Sequence, residues 1–174
     1  MVDQSLEQGI GTNPADLLAK LRPLASHYTQ PGFLLRRAHQ LSVGIFERHC
    51  GAMGLTPAQY GALFVLAHAG TLDQTALSRA QGFDKVTTLR IVRGLEGKGL
   101  VRRKASAVDG RKLELSLTPE GLAVCVNAQK PSRAAHDELL GPLTPEEQDQ
   151  LVALLGKLCA AHETTARVAI VPAV

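Results

Sequence analysis

Apolar residues recur at helical spacing along most of the chain, and in one stretch the period drops from about 3.6 to two. Leu34, Leu35, Ala38, Leu41, Ile45 and Phe46 predict a long amphipathic helix from Phe33 to about Gly51. Tyr60, Leu63, Phe64 and Leu66 predict another from Pro57 to about His68. Leu77, Ala80 and Phe83 form a third set around Gly82, which offers the positive φ that a tight turn between two helices needs. Thr88, Ile91, Val92 and Leu95 then share one face of a following helix; Asp84 is placed to cap its first turn, and Gly99 with Leu100 behind it stops it near Lys98. Beyond it Leu113, Leu115 and Leu117 alternate with Lys112, Glu114 and Ser116, and Asp109-Gly110 has hairpin-turn chemistry. A two-stranded hairpin is expected beside the helix.

The flanks of this stretch read as helices of another kind. Residues 1–12 are polar, Asn13-Pro14 opens a short helix through Leu17, Leu18, Leu21 and Leu24, and Pro31-Gly32 punctuates its exit. Thr56-Pro57, Thr118-Pro119 and Thr144-Pro145 each set a hydroxyl cap before a proline whose missing N–H costs nothing at that position. Gln59 and Glu147 complete capping boxes in the first and third. The helix from Pro119 carries Leu122, Val126, Leu139 and Leu140, with a break expected near Pro131. The helix after Thr144 lines up Leu151, Leu154, Leu155 and Leu158 against Gln148, Gln150 and Lys157, leaving an apolar face in need of a partner. The expected division is an N-terminal extension with a short helix (1–30), a helical body (31–55 and 118–166), a lobe between them (56–117) and a tail (167–174).

Charge gives the lobe a partner. The 174 residues carry a net +3, yet Asp84 to Lys112 holds nine basic residues against three acidic ones, a net +6, so the remainder is −3. Helix, turn, helix and hairpin with cations concentrated on the last two make a winged helix-turn-helix, for which double-stranded DNA is the fitting partner. Val86, Arg90 and Arg93 stand opposite the apolar stripe, flanked by Thr87, Leu89 and Gly94. Arg90 and Arg93 are candidates for base or phosphate contacts, because guanidinium pairs with guanine O6 and N7. Lys85 and Thr87, in the first turn, are candidates for phosphate, and Val86 for a thymine methyl. Arg102, Lys104 and Lys112 add hairpin cations, and Arg111 at the tip is placed either to reach a narrow minor groove or to pair with Asp109.

Several function classes drop out. With 3% aromatic residues there is little material for stacking single-stranded bases. Cys50, Cys125 and Cys159 are odd in number and widely spaced, so neither a disulfide framework nor a zinc site is expected, and a reducing cytoplasm fits. No basic-then-apolar leader and no run of about 18 apolar residues occurs, so neither export nor a membrane span is expected. Metal spacings, a nucleophile elbow and paired catalytic acids are absent, and the glycines from Gly94 to Leu100 lack phosphate-loop spacing. No enzymatic activity, metal or cofactor is expected.

The ordered set of the Asp84-capped helix, Leu95-Glu96-x-Lys98-Gly99-Leu100-Val101-x-Arg103, Asp109-Gly110-Arg111 and Leu117-Thr118-Pro119-Glu120-Gly121 resembles the MarR family of bacterial transcription regulators, over roughly Phe33 to Leu158. Two positions depart from its pattern: Val86, where relatives often carry a small hydroxyl residue, and Gly94, where a longer side chain is usual. The resemblance implies a mainly α fold with a small β-hairpin wing, the winged helix-turn-helix standing on a helical dimerisation body whose termini interdigitate into a homodimer. It implies a repressor on a pseudo-palindromic operator with half-sites about one helical turn apart. It further implies an effector pocket with walls matching His39, Ser42, Phe46, His49, Tyr60 and Phe64, with Met53 and His68 nearby, taking a small aromatic or phenolic acid or its acyl-CoA thioester. For each histidine a hydrogen-bonded structural role competes with ligand contact, and for Arg36 and Arg37 surface ion pairing competes with anchoring a carboxylate. Two alternatives stay open: thiol-based redox sensing through Cys50, since some relatives sense oxidants through cysteine, and a winged-helix protein-interaction module without DNA.

Overall fold

The computed structural model describes residues 13–21, 23–105, 113–165 and 168–173, which fall into two compact units divided between Gln40 and Leu41. In chain order the elements are α1 (Pro14–Ala19), α2 (Leu24–His27), α3 (Pro31–Cys50), a 3-10 turn (Gly51–Met53), α4 (Pro57–Ala69), β1 (Thr71–Asp73), α5 (Gln74–Gln81), α6 (Lys85–Gly97), β2 (Val101–Ala105), β3 (Leu113–Leu117), α7 (Pro119–Leu140), α8 (Pro145–His162) and a closing 3-10 turn (Glu163–Thr165).

The second unit has one apolar core, to which α4 gives Leu63 and Leu66, α5 Leu77, α6 Ile91, Val92 and Leu95, and β3 Leu115. Side chains of this size contribute about 1.5–3 kcal/mol each when fully buried, which holds three short helices and a sheet together. Each helix has a local reason to start. Thr56, Asp73, Asp84, Thr118 and Thr144 all accept a backbone N–H of their own first turn, and Thr56 with Gln59 and Thr144 with Glu147 form complete capping boxes. Two also have the same reason to stop. Gly82 (φ +67°) and Gly99 (φ +69°) take the left-handed conformation, and the paired bonds Gly82 N to Arg79 O with Phe83 N to Ser78 O, and Gly99 N to Glu96 O with Leu100 N to Leu95 O, satisfy the last carbonyls. A Cβ at Gly121 would lie 2.0 Å from the Leu100 carbonyl oxygen, so only glycine lets α7 begin against the base of the hairpin, where Thr118 Oγ1 also donates to Gly99 O at 2.7 Å.

Several expectations need correction. The sheet has three strands, not two: β1 pairs antiparallel with β3 (Leu72 opposite Leu115) and β3 with β2 (Arg103 opposite Leu115), in the order β1-β3-β2. The expected hairpin turn at Asp109-Gly110 lies outside the described residues. No break occurs at Pro131; α7 is continuous through it, with buried Cys125 and Ala128 before it and Ala135 after it anchoring both halves. The expected N-terminal helix is split in two: α1 stops at Ala19 and α2 starts after Pro23. Pro31-Gly32 opens α3 rather than closing its predecessor, as proline is tolerated in a first turn. Phe83 lies beyond the end of α5 in the turn and packs partly buried against the core.

In the first unit, His27, Tyr28 and Phe33 make edge-to-face contacts with centroids 5.0 to 5.7 Å apart. The Arg36 guanidinium lies 5.1 Å from the Phe33 ring centroid and donates to Gln40 at 3.2 Å. In the second unit, α8 buries none of its residues, and Leu151, Leu154, Leu155 and Leu158 are exposed. The tail returns to the lobe: Val171 N donates to Arg79 O at 3.1 Å, and Ile170 packs over Gly82, 3.1 Å from where a Cβ would stand.

Candidate nucleic-acid interface

Helix α6 has two unlike faces. Thr88, Ile91, Val92 and Leu95, spaced i, i+3, i+4 and i+7, are at most 8% exposed in the core, and the Thr88 hydroxyl is satisfied by Asp84 O at 2.9 Å. That burial fixes the rotation of the helix about its axis. Val86, Arg90 and Arg93, spaced i, i+4 and i+7, consequently face outward beside exposed Lys85, with Thr87 and Leu89 half-buried on the flanks. Among the described residues none forms an ion pair with Lys85, Arg90 or Arg93. At the helix start Asp84 Oδ1 accepts Thr87 N at 2.7 Å, while the positive end of the dipole and Lys85 make the same turn attractive to a phosphate.

The sheet adds cations by its period of two. Arg102 and Lys104 are exposed on β2, and Arg102 Nε is steadied by Ser116 Oγ at 3.1 Å on β3. Arg103, between them, points the other way and pairs with Glu96 of α6 at 2.9 Å, which ties the hairpin to the helix and removes one cation from the basic set. Lys98 is also engaged: its ammonium reaches the Gly54 carbonyl and lies 3.5 Å from Gln59 Oε1, pinning the end of α6 to the turn before α4. A Cβ at Gly94 would meet the Gln59 amide at 2.6 Å, so the unusual glycine leaves room for that side chain. Sequence reading had no signal for these engagements. Arg111 and Lys112 lie outside the described residues.

The expected effector residues divide. Phe46, Tyr60 and Phe64 form a run of rings with centroids 5.6 and 6.4 Å apart, continued by His68 at 4.3 Å from Phe64. Phe64 is exposed, Ser42 is half-buried on α3, and Met53 packs against the core instead. His49 Nε2 lies 2.7 Å from Glu138 of α7, and Arg48 pairs with the same carboxylate at 2.8 Å. The His49 hydrogen bond, followed by the charge of Arg48, holds the Glu138 carboxyl below its usual range. His39 is exposed in the first unit. Cys50 is fully buried, and burial pushes its thiol up, which makes it a poor thiolate source; its neighbours Arg48 and His49 are turned to Glu138.

A MarR family model matches residues 53–112, the span from the end of the turn before α4 to the residue before β3. The transcriptional regulator HosA of Escherichia coli O157:H7 is 32% identical over 125 residues, covering 69% of this chain and 92% of that protein. The structure of Bordetella bronchiseptica BpsR, which concerns regulation of its DNA binding by 6-hydroxynicotinic acid, matches with a TM-score of 0.72 at 30% identity over 75% of this chain and 94% of that one. The transcriptional repressor CouR bound to a 23-mer DNA duplex matches with a TM-score of 0.73 at 27% identity over 80% and 99%. A capped helix with an outward cationic stripe, a hairpin tied to its end, and relatives that align along most of their own length lead to one conclusion: this chain belongs to the MarR family of transcription regulators.

Proposed function

We propose that the chain acts as a homodimeric repressor that reads a pseudo-palindromic duplex operator with α6 and the hairpin, and leaves it when a small aromatic or phenolic acid, or its coenzyme-A thioester, binds. The observation that carries this reading is the outward stripe of α6, in which Arg90 and Arg93 stand without ion-pair partners among the described residues while the opposite face is locked in the core. A helix fits the major groove, and a guanidinium there meets guanine in two parallel hydrogen bonds. The exposed leucines of α8 support a second copy as their cover. The ring run of Phe46, Tyr60 and Phe64, with the Ser42 hydroxyl on α3, supports an aromatic effector. Such a ligand acts only through unequal affinity for two forms; a hundredfold preference is about 2.7 kcal/mol, enough to turn nanomolar operator binding into about tenth-micromolar. Burial of Cys50 argues against oxidation as the trigger.

Duplex selection from a random pool, followed by titration at several salt concentrations, tests the DNA reading. Neutralising several phosphates per lobe gives a steep fall of log affinity with log salt. Arg90→Ala is expected to cost about 1–3 kcal/mol and relax base preference, whereas Lys104→Ala weakens all duplexes alike. Shallow salt dependence with no selected sequence would replace this reading by a protein-interaction module.

A further inference from the structure

Val86 is 68% exposed, the most apolar side chain on a face otherwise occupied by Lys85, Arg90 and Arg93. Among the described residues nothing covers it. A β-branched residue is a weaker helix former than the alanine, lysine or glutamine that a solvated face would carry, and its methyls gain nothing from water. It stands in the first turn of α6, one turn ahead of Arg90 and two ahead of Arg93 on a single stripe. It is therefore the leading apolar point of the surface that would enter a groove.

On the major-groove edge of DNA the apolar group is the 5-methyl of a pyrimidine, carried by thymine or by 5-methylcytosine. We propose that Val86 is a specificity-determining residue that packs on such a methyl, and that each half-site places this base about one to two base pairs from the guanine met by Arg90. Helix geometry sets the range: four residues rise about 6 Å along α6, which spans at most about two steps of the DNA duplex at about 3.4 Å each, and about one where the helix crosses the groove obliquely. Arg93, about 4.5 Å further on, meets the next contact one to two base pairs beyond. Serine or threonine at this position would offer a hydroxyl suited to phosphate or to any base edge; valine offers none and so trades general grip for selection of a methyl. This inference rests on the operator reading proposed above.

The test begins with duplexes selected from a random pool by the full-length protein. In the best of them each thymine is replaced in turn by deoxyuridine, which removes only the methyl. One position per half-site is expected to weaken binding about fourfold, the value of one methyl kept from water, and the symmetric double replacement about sixteenfold. 5-Methylcytosine at that position, opposite guanine, restores part of the loss relative to cytosine if the methyl is read apart from the rest of the base; no restoration confines the contact to thymine, and either result upholds a methyl contact. Val86→Ala, which leaves the fold intact because the side chain is exposed, abolishes the difference between thymine and deoxyuridine. The proposal is overturned if no replacement changes affinity by more than twofold, or if Val86→Ala keeps the full difference. Absence of salt-sensitive binding to any duplex would instead remove the operator reading on which it stands.

Discussion

Helices α6 and α8 carry apolar stripes of the same i, i+3, i+4, i+7 spacing and meet opposite fates. In α6 the apolar stripe is 0 to 8% exposed and the cations look outward; in α8 the apolar stripe is 37 to 66% exposed and no residue is buried. The difference teaches that a hydrophobic stripe specifies a need for cover, not its source. For α6 the cover arrives from α4, α5 and β3 within the same unit, whereas the described residues give α8 too little cover to bury any of its side chains.

The sharpest way to break this comparison is to cut one leucine from each stripe. Leu95→Ala, in the closed core, is expected to cost about 2–5 kcal/mol in denaturant unfolding, while Leu154→Ala changes the stability of the isolated chain by about 0.5 kcal/mol or less at high dilution. Equal losses would mean that α8 is covered by its own chain. Charging the second stripe through Leu151→Asp and Leu155→Asp is expected to shift sedimentation to the monomer while the helical circular dichroism persists; an unchanged sedimentation coefficient would count against a second copy as cover. A smaller effect is expected at the start of α6, where Asp84→Ala removes the cap on Thr87 N and lowers the melting free energy by about 1 kcal/mol. The smallest concerns Glu138, which binds α7 to the end of α3. Its carboxyl is depressed, so the contact contributes above the usual carboxylate pKa and is lost as pH falls through the lowered value. In His49→Ala the carbon-13 titration of Glu138 moves up toward the usual range, and an unmoved midpoint would leave Arg48 as the partner that matters.

What was legible in the sequence was local. Asp84, Thr56, Thr118 and Thr144 act on amides three residues away, and Gly82 and Gly99 stop helices through their own φ, so short windows were enough. The stripe of Val86, Arg90 and Arg93 followed because a helix has only one side left once Thr88, Ile91, Val92 and Leu95 are buried. Distant partners were not legible. Thr71 to Asp73 is too short to show alternation and becomes a strand only because β3 lies beside it. His49 meets Glu138 across 89 positions and Lys98 meets Gly54 across 44, and neither side chain announces its partner. Pro131 was misread for the same reason, since what keeps α7 continuous is its packing.

The return of the tail has a practical side. Gly82 N and Val171 N share the Arg79 carbonyl, and Ile170 lies on the turn that sets the entry of α6. Val171 is exposed while its backbone is held there, so a dye placed on this side chain sits against that turn. Immobilisation through that position crowds the entry of α6 and biases surface-based binding measurements, whereas a fluorophore there serves as a reporter of the turn itself.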